Sequence, residues 1–123
     1  MLFRSITLVL ALNYSSKWEI THAAKVLAEQ VLKGEITPDD INETSFEAQL
    51  STHGIPDPDL LIRTSGETRL SNFLLWQLAY AELYFTPVFW PDFGKRELYE
   101  AVLSFQNRER RFGKISEQLT HKE

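Results

Sequence analysis

Residues Ile6 to Leu12 are apolar at nearly every position. A run of this kind fits a strand covered on both faces, as in a parallel sheet. Asn13-Tyr14-Ser15-Ser16 is a polar loop at its end. Ile20, Ala23, Ala24, Leu27, Val31 and Leu32 then recur at helical spacing, with Gly34 as the stop. Thr37-Pro38-Asp39-Asp40 has the order N-cap, first-turn proline, first-turn acids, so it predicts a short helix. Thr44-Ser45-Phe46-Glu47 has capping-box spacing and predicts a second. Turn residues from His53 to Asp59 lead into a buried strand at Leu60-Leu61-Ile62.

The polar loop Arg63 to Asn72 follows, and then the apolar stretch Phe73 to Tyr80, which predicts a helix from about Asn72 to Tyr80. Leu83-Tyr84-Phe85 predicts a short aromatic strand, and Pro87 and Pro91 break the chain. Asp92 is the expected cap of a last helix with Leu98, Ala101, Val102 and Phe105 on its buried face. That helix runs into Arg108-Glu109-Arg110-Arg111-Phe112-Gly113, and residues 114–123 form a polar tail expected to fray. The alternation predicts an α/β fold: a partial parallel sheet flanked by helices, with fewer strands than a complete doubly wound sheet. A single domain over residues 1–113 is expected, with 114–123 as the tail.

Composition narrows the function classes. Three Trp, four Tyr and eight Phe among 123 residues supply apolar area for a core. A net charge of -4 argues against nucleic acid as the main partner. The absence of Cys removes disulfides, thiolate nucleophiles and cysteine-ligated metals, and suits a cytoplasmic protein. No apolar run approaches the roughly 20 residues of a transmembrane segment. The apolar amino terminus reads as a strand rather than a signal peptide, since no small-x-small cleavage site follows it.

The candidate chemistry lies in the loop after the second predicted strand. Arg63 and Arg69 carry planar donor forks suited to phosphate oxygens. Ser71 stands at the expected start of a helix, where unpaired N–H groups and the helix dipole favour an anion. Each has a plainer explanation: a salt bridge of Arg63 with Glu67, a solvated Arg69, a simple N-cap at Ser71. Two arginines six apart beside such a serine tilt the reading toward an anion site. Glu82, between apolar segments, needs a partner or a metal such as Mg²⁺; from spacing alone a salt bridge to a neighbouring arginine is the favoured explanation. Arg108, Arg110 and Arg111 suit a helix end or a solvated basic face. His22, His53 and His121 have no ligand spacing, and Trp18, Trp76 and Trp90 read as core or interface residues.

Several ordered segments resemble the carboxyl half of the cis-prenyltransferases, the family of undecaprenyl diphosphate synthase and isoprenyl transferase. They are Asp59 to Glu67, Arg69 to Gln77, Ala79 to Phe85, Trp90-Pro91-Asp92-Phe93 and Arg108 to Gly113. Asn13-Tyr14-Ser15-Ser16-Lys17 resembles the family's Asn-Tyr-Gly-Gly-Arg segment, with serines for glycines and Lys for Arg.

The resemblance implies condensation of isopentenyl diphosphate with an allylic diphosphate to give a cis-polyprenyl diphosphate. It implies that Arg63, Arg69 and Ser71, with main-chain contact from Leu70, hold the diphosphate of isopentenyl diphosphate. Glu82 would be a Mg²⁺ ligand, Arg111 and Gly113 would serve a partner subunit's site, and the Trp76 region would build a homodimer. Peripheral membrane contact through the lipid product is a further expectation. The family's Asp-Gly-Asn-Gly-Arg loop, which carries the catalytic Asp, does not occur in this sequence. This chain is therefore expected to be a fragment or a short protein, supplying the isopentenyl diphosphate side and weak or inactive alone. The rival readings are a non-catalytic dimerisation or regulatory partner of a complete prenyltransferase, and a phosphate-binding α/β domain outside the family.

Overall fold

The structure is a computed structural model and describes residues 6–108. Helix α1 spans Ser16–Leu32, α2 spans Glu43–Glu47 and α3 spans Lys95–Gln106, while strands β1 and β2 span Leu60–Arg63 and Glu82–Phe85. Single 3₁₀ turns occupy Pro38–Asp40 and Trp90–Asp92. The described residues form two compact units, one of 6–57 with 70–79 and the other of 58–69 with 80–108.

In the first unit α1 packs against α2. Ser15 caps α1 by accepting from the Trp18 N–H at 3.3 Å. Gly34, at φ 73°, turns the chain out of the helix and donates to the Val31 carbonyl. The buried stripe of α1 is Ser16, Glu19, Ala23 and Leu27; Ala23 and Leu27 match the apolar period, and Leu32 is exposed. The Thr37-Pro38 signal produces only one 3₁₀ turn, closed by the Asp40 carboxylate, which accepts from the Thr37 N–H and hydroxyl at 2.7 Å each. The next helix starts earlier than its Thr44 signal: Asn42 is the cap, and its amide oxygen and the Ser45 hydroxyl each accept the other's backbone N–H.

Glu19 is the polar centre of this unit and only 3 % exposed. Its carboxylate accepts from the Tyr14 hydroxyl, from the Ser51 N–H at 3.1 Å and hydroxyl at 2.5 Å, and from Gln77 Nε2 at 3.0 Å. Gln77 Nε2 also donates to Thr52 Oγ1 at 2.9 Å. Phe46 and Trp76 pack with ring centroids 4.5 Å apart, and the Trp76 indole N–H donates to Glu47.

Two predicted elements are absent. Residues 6–12 form no strand, and Ile6 and Leu12 are 95 % and 82 % exposed. Dense apolarity signals suitability for burial on two faces; it supplies no neighbouring strand to pair with. The stretch 72–80 is a series of turns, not a helix. Ser71, Asn72 and Leu74 have φ of 51°, 61° and 45°, in the left-handed region. The Asn72 carbonyl, which a helix would direct to residue 76, accepts instead from the Ser16 N–H at 3.1 Å. The Leu75 N–H donates to Ser16 Oγ at 2.8 Å. One isolated helical bond remains, from Leu78 N to Leu74 O.

In the second unit β1 and β2 form a parallel pair in which Leu60 faces Glu82 and Arg63 faces Phe85. The strands join into one parallel ladder of an α/β arrangement, and α3 packs against β2. The cap of α3 is Gly94 rather than Asp92: the Glu97 carboxylate reaches back to accept the Gly94 N–H at 2.9 Å, and Asp92 ends the 3₁₀ turn. Ala101 is fully buried, Val102 and Phe105 are half-buried, and Leu98 is exposed. Trp18 and Trp90 are exposed, which removes the core alternative of the core-or-interface expectation for them; Trp76 is half-buried. Among the described residues no helix is long and apolar enough to cross a membrane.

Burial works to raise the Glu19 pKa, but the bonds from Ser51, Tyr14 and Gln77 outweigh it and hold the carboxyl below its ordinary range. A depressed folded-state pKa stabilises above the unfolded value and is lost as pH falls through the folded value. Thermal melts of the chain are therefore expected to drop in midpoint as pH falls through and below the ordinary carboxylate range, with a smaller drop for Glu19→Gln. At neutral pH, Glu19→Ala should cost roughly 2–3 kcal/mol in urea unfolding, because several donors lose their acceptor together.

Candidate functional site

The loop that leaves β1 is anchored along the extension of β2. The Arg63 carbonyl accepts from the Thr86 N–H at 2.9 Å, the Ser65 N–H donates to Val88 at 2.8 Å, and the Gly66 N–H donates to Thr86 at 3.0 Å. Ser65 and Gly66 make this turn with φ of 67° and 69°. Ser carries the conformation at some steric cost, while Gly adopts it freely. These bonds correct one expectation. The N–H groups of Ser65 and Gly66 are occupied, and no helix follows Ser71, so neither those two amides nor a helix dipole serve an anion after β1. The cationic side chains are the main chemistry that the loop offers.

Arg63 is half-buried at the carboxyl end of β1, the end at which open α/β sheets present ligands. Among the described residues no carboxylate pairs with it. Glu67 pairs not with Arg63 but with Arg69, at 2.5 Å. That pair is solvent-exposed and worth little to stability, and it holds the Arg69 guanidinium beside the loop. Arg63, Arg69 and Glu82 belong to the unit built on the sheet, and Leu70 and Ser71 to the unit built on α1. Ser71 is exposed, Leu70 is half-buried, and Ser71 caps no helix.

Glu82 opens β2 and lies level with Leu60, three register positions from the level of Arg63 and Phe85. At about 3.3 Å per residue, that separation is about 10 Å along the ladder. One of its carboxylate oxygens, Oε2, pairs with Arg108 Nη1 at 2.9 Å, and the same nitrogen donates to the Leu83 carbonyl at 2.9 Å. The salt-bridge explanation of Glu82 is thus realised by Arg108. Among the described residues, no group of three or more His, Asp or Glu could hold a metal ion. Mg²⁺ does not require one: it keeps several waters and takes one or two carboxylates together with substrate phosphates. Glu82 fits the part of a single carboxylate ligand. Arg111 and Gly113, expected to serve a partner's site, lie outside the described residues.

Sequence reasoning missed Asn72, whose side chain and carbonyl engage the start of α1, and Glu19, whose carboxylate gathers four donors. The only available signal for Asn72 was its tolerance of left-handed backbone. For Glu19 it was a charge placed on the apolar stripe of a helix.

Residues 3–113 match the family described as undecaprenyl diphosphate synthase (Prenyltransf). The isoprenyl transferase of Chlorobaculum tepidum is 57 % identical over 116 residues, covering 94 % of this chain and 44 % of that protein. The ditrans,polycis-undecaprenyl-diphosphate synthase, (2E,6E)-farnesyl-diphosphate specific, of Vibrio cholerae is 58 % identical over 110 residues, covering 89 % of this chain and 44 % of that protein. In three dimensions the chain resembles lavandulyl diphosphate synthase from Lavandula x intermedia, solved in complex with dimethylallyl diphosphate. The TM-score is 0.79 at 48 % identity, over 82 % of this chain and 44 % of that one. The chain spans somewhat less than half the length of each of these relatives.

The Arg108–Glu82 pair is partly exposed, so its net contribution is small. Arg108→Ala is expected to lower stability by at most about 1 kcal/mol in chemical denaturation, with the helical circular dichroism preserved. A loss of several kcal/mol would identify the pair as a structural keystone instead.

Proposed function

The chain belongs to the undecaprenyl diphosphate synthase family of cis-prenyltransferases, and from that premise we propose that it binds isopentenyl diphosphate for prenyl-chain elongation. The observation that carries this reading is Arg63: a half-buried guanidinium at the carboxyl end of β1, with no carboxylate partner among the described residues. A buried cation without a counter-ion is costly, and a diphosphate oxygen relieves that cost with a charge-assisted bond. In this reading Arg69 adds a second fork after exchanging Glu67 for the ligand, and Leu70 and Ser71 supply main-chain and hydroxyl contacts.

The co-substrate is an allylic diphosphate, and the product a cis-polyprenyl diphosphate. Glu82 would hold Mg²⁺ with one carboxylate oxygen, and bound Mg²⁺ would neutralise charge on diphosphate oxygens as the leaving group departs. Arg63 and Arg69 orient the alkene by fixing the diphosphate to which it is attached. Arg111 and Gly113 would contribute to a partner's site in a homodimer working in the cytoplasm, with the lipid product bringing it to the membrane surface.

Because the chain spans less than half of its relatives' length, we propose weak or no turnover by this chain alone. The same span favours a second reading, a non-catalytic partner of a complete synthase.

Titration calorimetry with isopentenyl diphosphate in Mg²⁺ buffer tests the binding role. Arg63→Ala and Arg69→Ala are each expected to weaken binding about tenfold or more, roughly 1.4 kcal/mol or above, as for loss of a charge-assisted bond. Binding unchanged by both substitutions rejects the reading. Incubation with isopentenyl and farnesyl diphosphates separates the two functional alternatives: long-chain product from the chain alone excludes the non-catalytic partner.

A further inference from the structure

Resting on the diphosphate-binding reading, we propose that Asn72 is a positioning residue: it pins the ligand loop at Leu70 and Ser71 to the amino terminus of α1. Three bonds converge on it. The Ser16 N–H donates to its main-chain carbonyl at 3.1 Å, the Lys17 N–H donates to Oδ1 at 2.8 Å, and its Nδ2 donates to Ser15 Oγ at 2.9 Å. A fourth bond, Leu75 N–H to Ser16 Oγ at 2.8 Å, closes the loop on the far side.

Ser16 is fully buried, so its hydroxyl and N–H have no recourse to water and depend on these partners. The amino terminus of α1 is thereby capped twice, by Ser15 within its own segment and by Asn72 from 55 residues away. In return the loop is held with Ser71 and Asn72 both left-handed, a pair of conformations that L-residues adopt only when the surroundings impose them. Ser71 precedes Asn72 directly, so the clamp sets the direction in which the Ser71 hydroxyl and the Leu70 main chain are presented.

The two serines that complete the clamp stand where the resembling family segment carries glycines. Their hydroxyls supply acceptors that glycine lacks: Ser15 Oγ for Asn72 and Ser16 Oγ for Leu75.

The full 123-residue chain is used for the test, with inorganic pyrophosphate and Mg²⁺ as the probe. Asn72→Ala is expected to speed amide exchange at Lys17 at least tenfold and to weaken pyrophosphate binding at least fivefold, with helical circular dichroism retained. Asn72→Asp keeps a side-chain oxygen for the Lys17 N–H and should restore its protection. Should Asn72→Ala fail to fold, Ser16→Gly, which removes the acceptor for Leu75 together with a bond to Tyr14, is expected to weaken binding at least threefold.

The deciding measurement is the double substitution. If Asn72 acts through Ser71, Asn72→Ala costs less than twofold in affinity once Ser71→Ala is present. Fully additive losses overturn the inference, as does an Asn72→Ala chain with unaltered exchange and affinity. If the unsubstituted chain binds no pyrophosphate, the diphosphate reading itself fails, which is a result distinct from either.

Discussion

A carboxylate sealed from water has to be answered by donors, and in this chain Glu19 organises one unit around that requirement. Its donors come from three places in sequence: Tyr14 just before α1, Ser51 after α2, and Gln77 in the segment of turns after residue 71. Each bond is modest, but together they fix the side on which α1 meets the 51–52 turn and the 77 region. An apolar residue at position 19 would pack into the same stripe without specifying which segments surround it. The charge gives direction to an otherwise ordinary helix face.

The second organising feature is competition for backbone groups. An apolar stretch such as Phe73 to Tyr80 has what a helix needs locally. Yet α1 begins with unpaired N–H groups, and the Asn72 carbonyl and side chain satisfy two of them. Once that carbonyl is committed, the first turn of a helix at 72 has lost its acceptor. The left-handed residues 71, 72 and 74 are the result. A long-range cap therefore outweighs a local period, and the loop at 70–75 takes its form from that exchange.

In the other unit, parallel register decides what the candidate residues can do. Arg63 and Glu82 occupy opposite ends of the β1–β2 ladder, so they do not act on one atom from the positions that the strands give them. Arg63 is left as a cation in want of an anion, while Glu82 is held by Arg108. The N–H groups of Ser65 and Gly66 are spent on the extension of β2 and are not offered to an anion. The guanidinium groups of the same loop carry direction as well as charge.

Much of this was legible in the linear order of residues. The periods of α1 and α3, the strands at 60 and 83, the stop at Gly34 and the two arginines were all readable, because each rests on neighbours a few positions apart. So was the family, whose motifs are runs of adjacent residues. The cap positions of α2 and α3 shifted by about two residues, since several side chains in each turn can compete for the same N–H. What no local pattern contains is the partner: which acceptor takes the Ser16 N–H, which arginine pairs with Glu82, and whether the apolar run 6–12 finds a strand beside it. Those outcomes depend on groups tens of residues apart that meet only when the chain has folded, and the first of them decided the shape of the loop at 70–75.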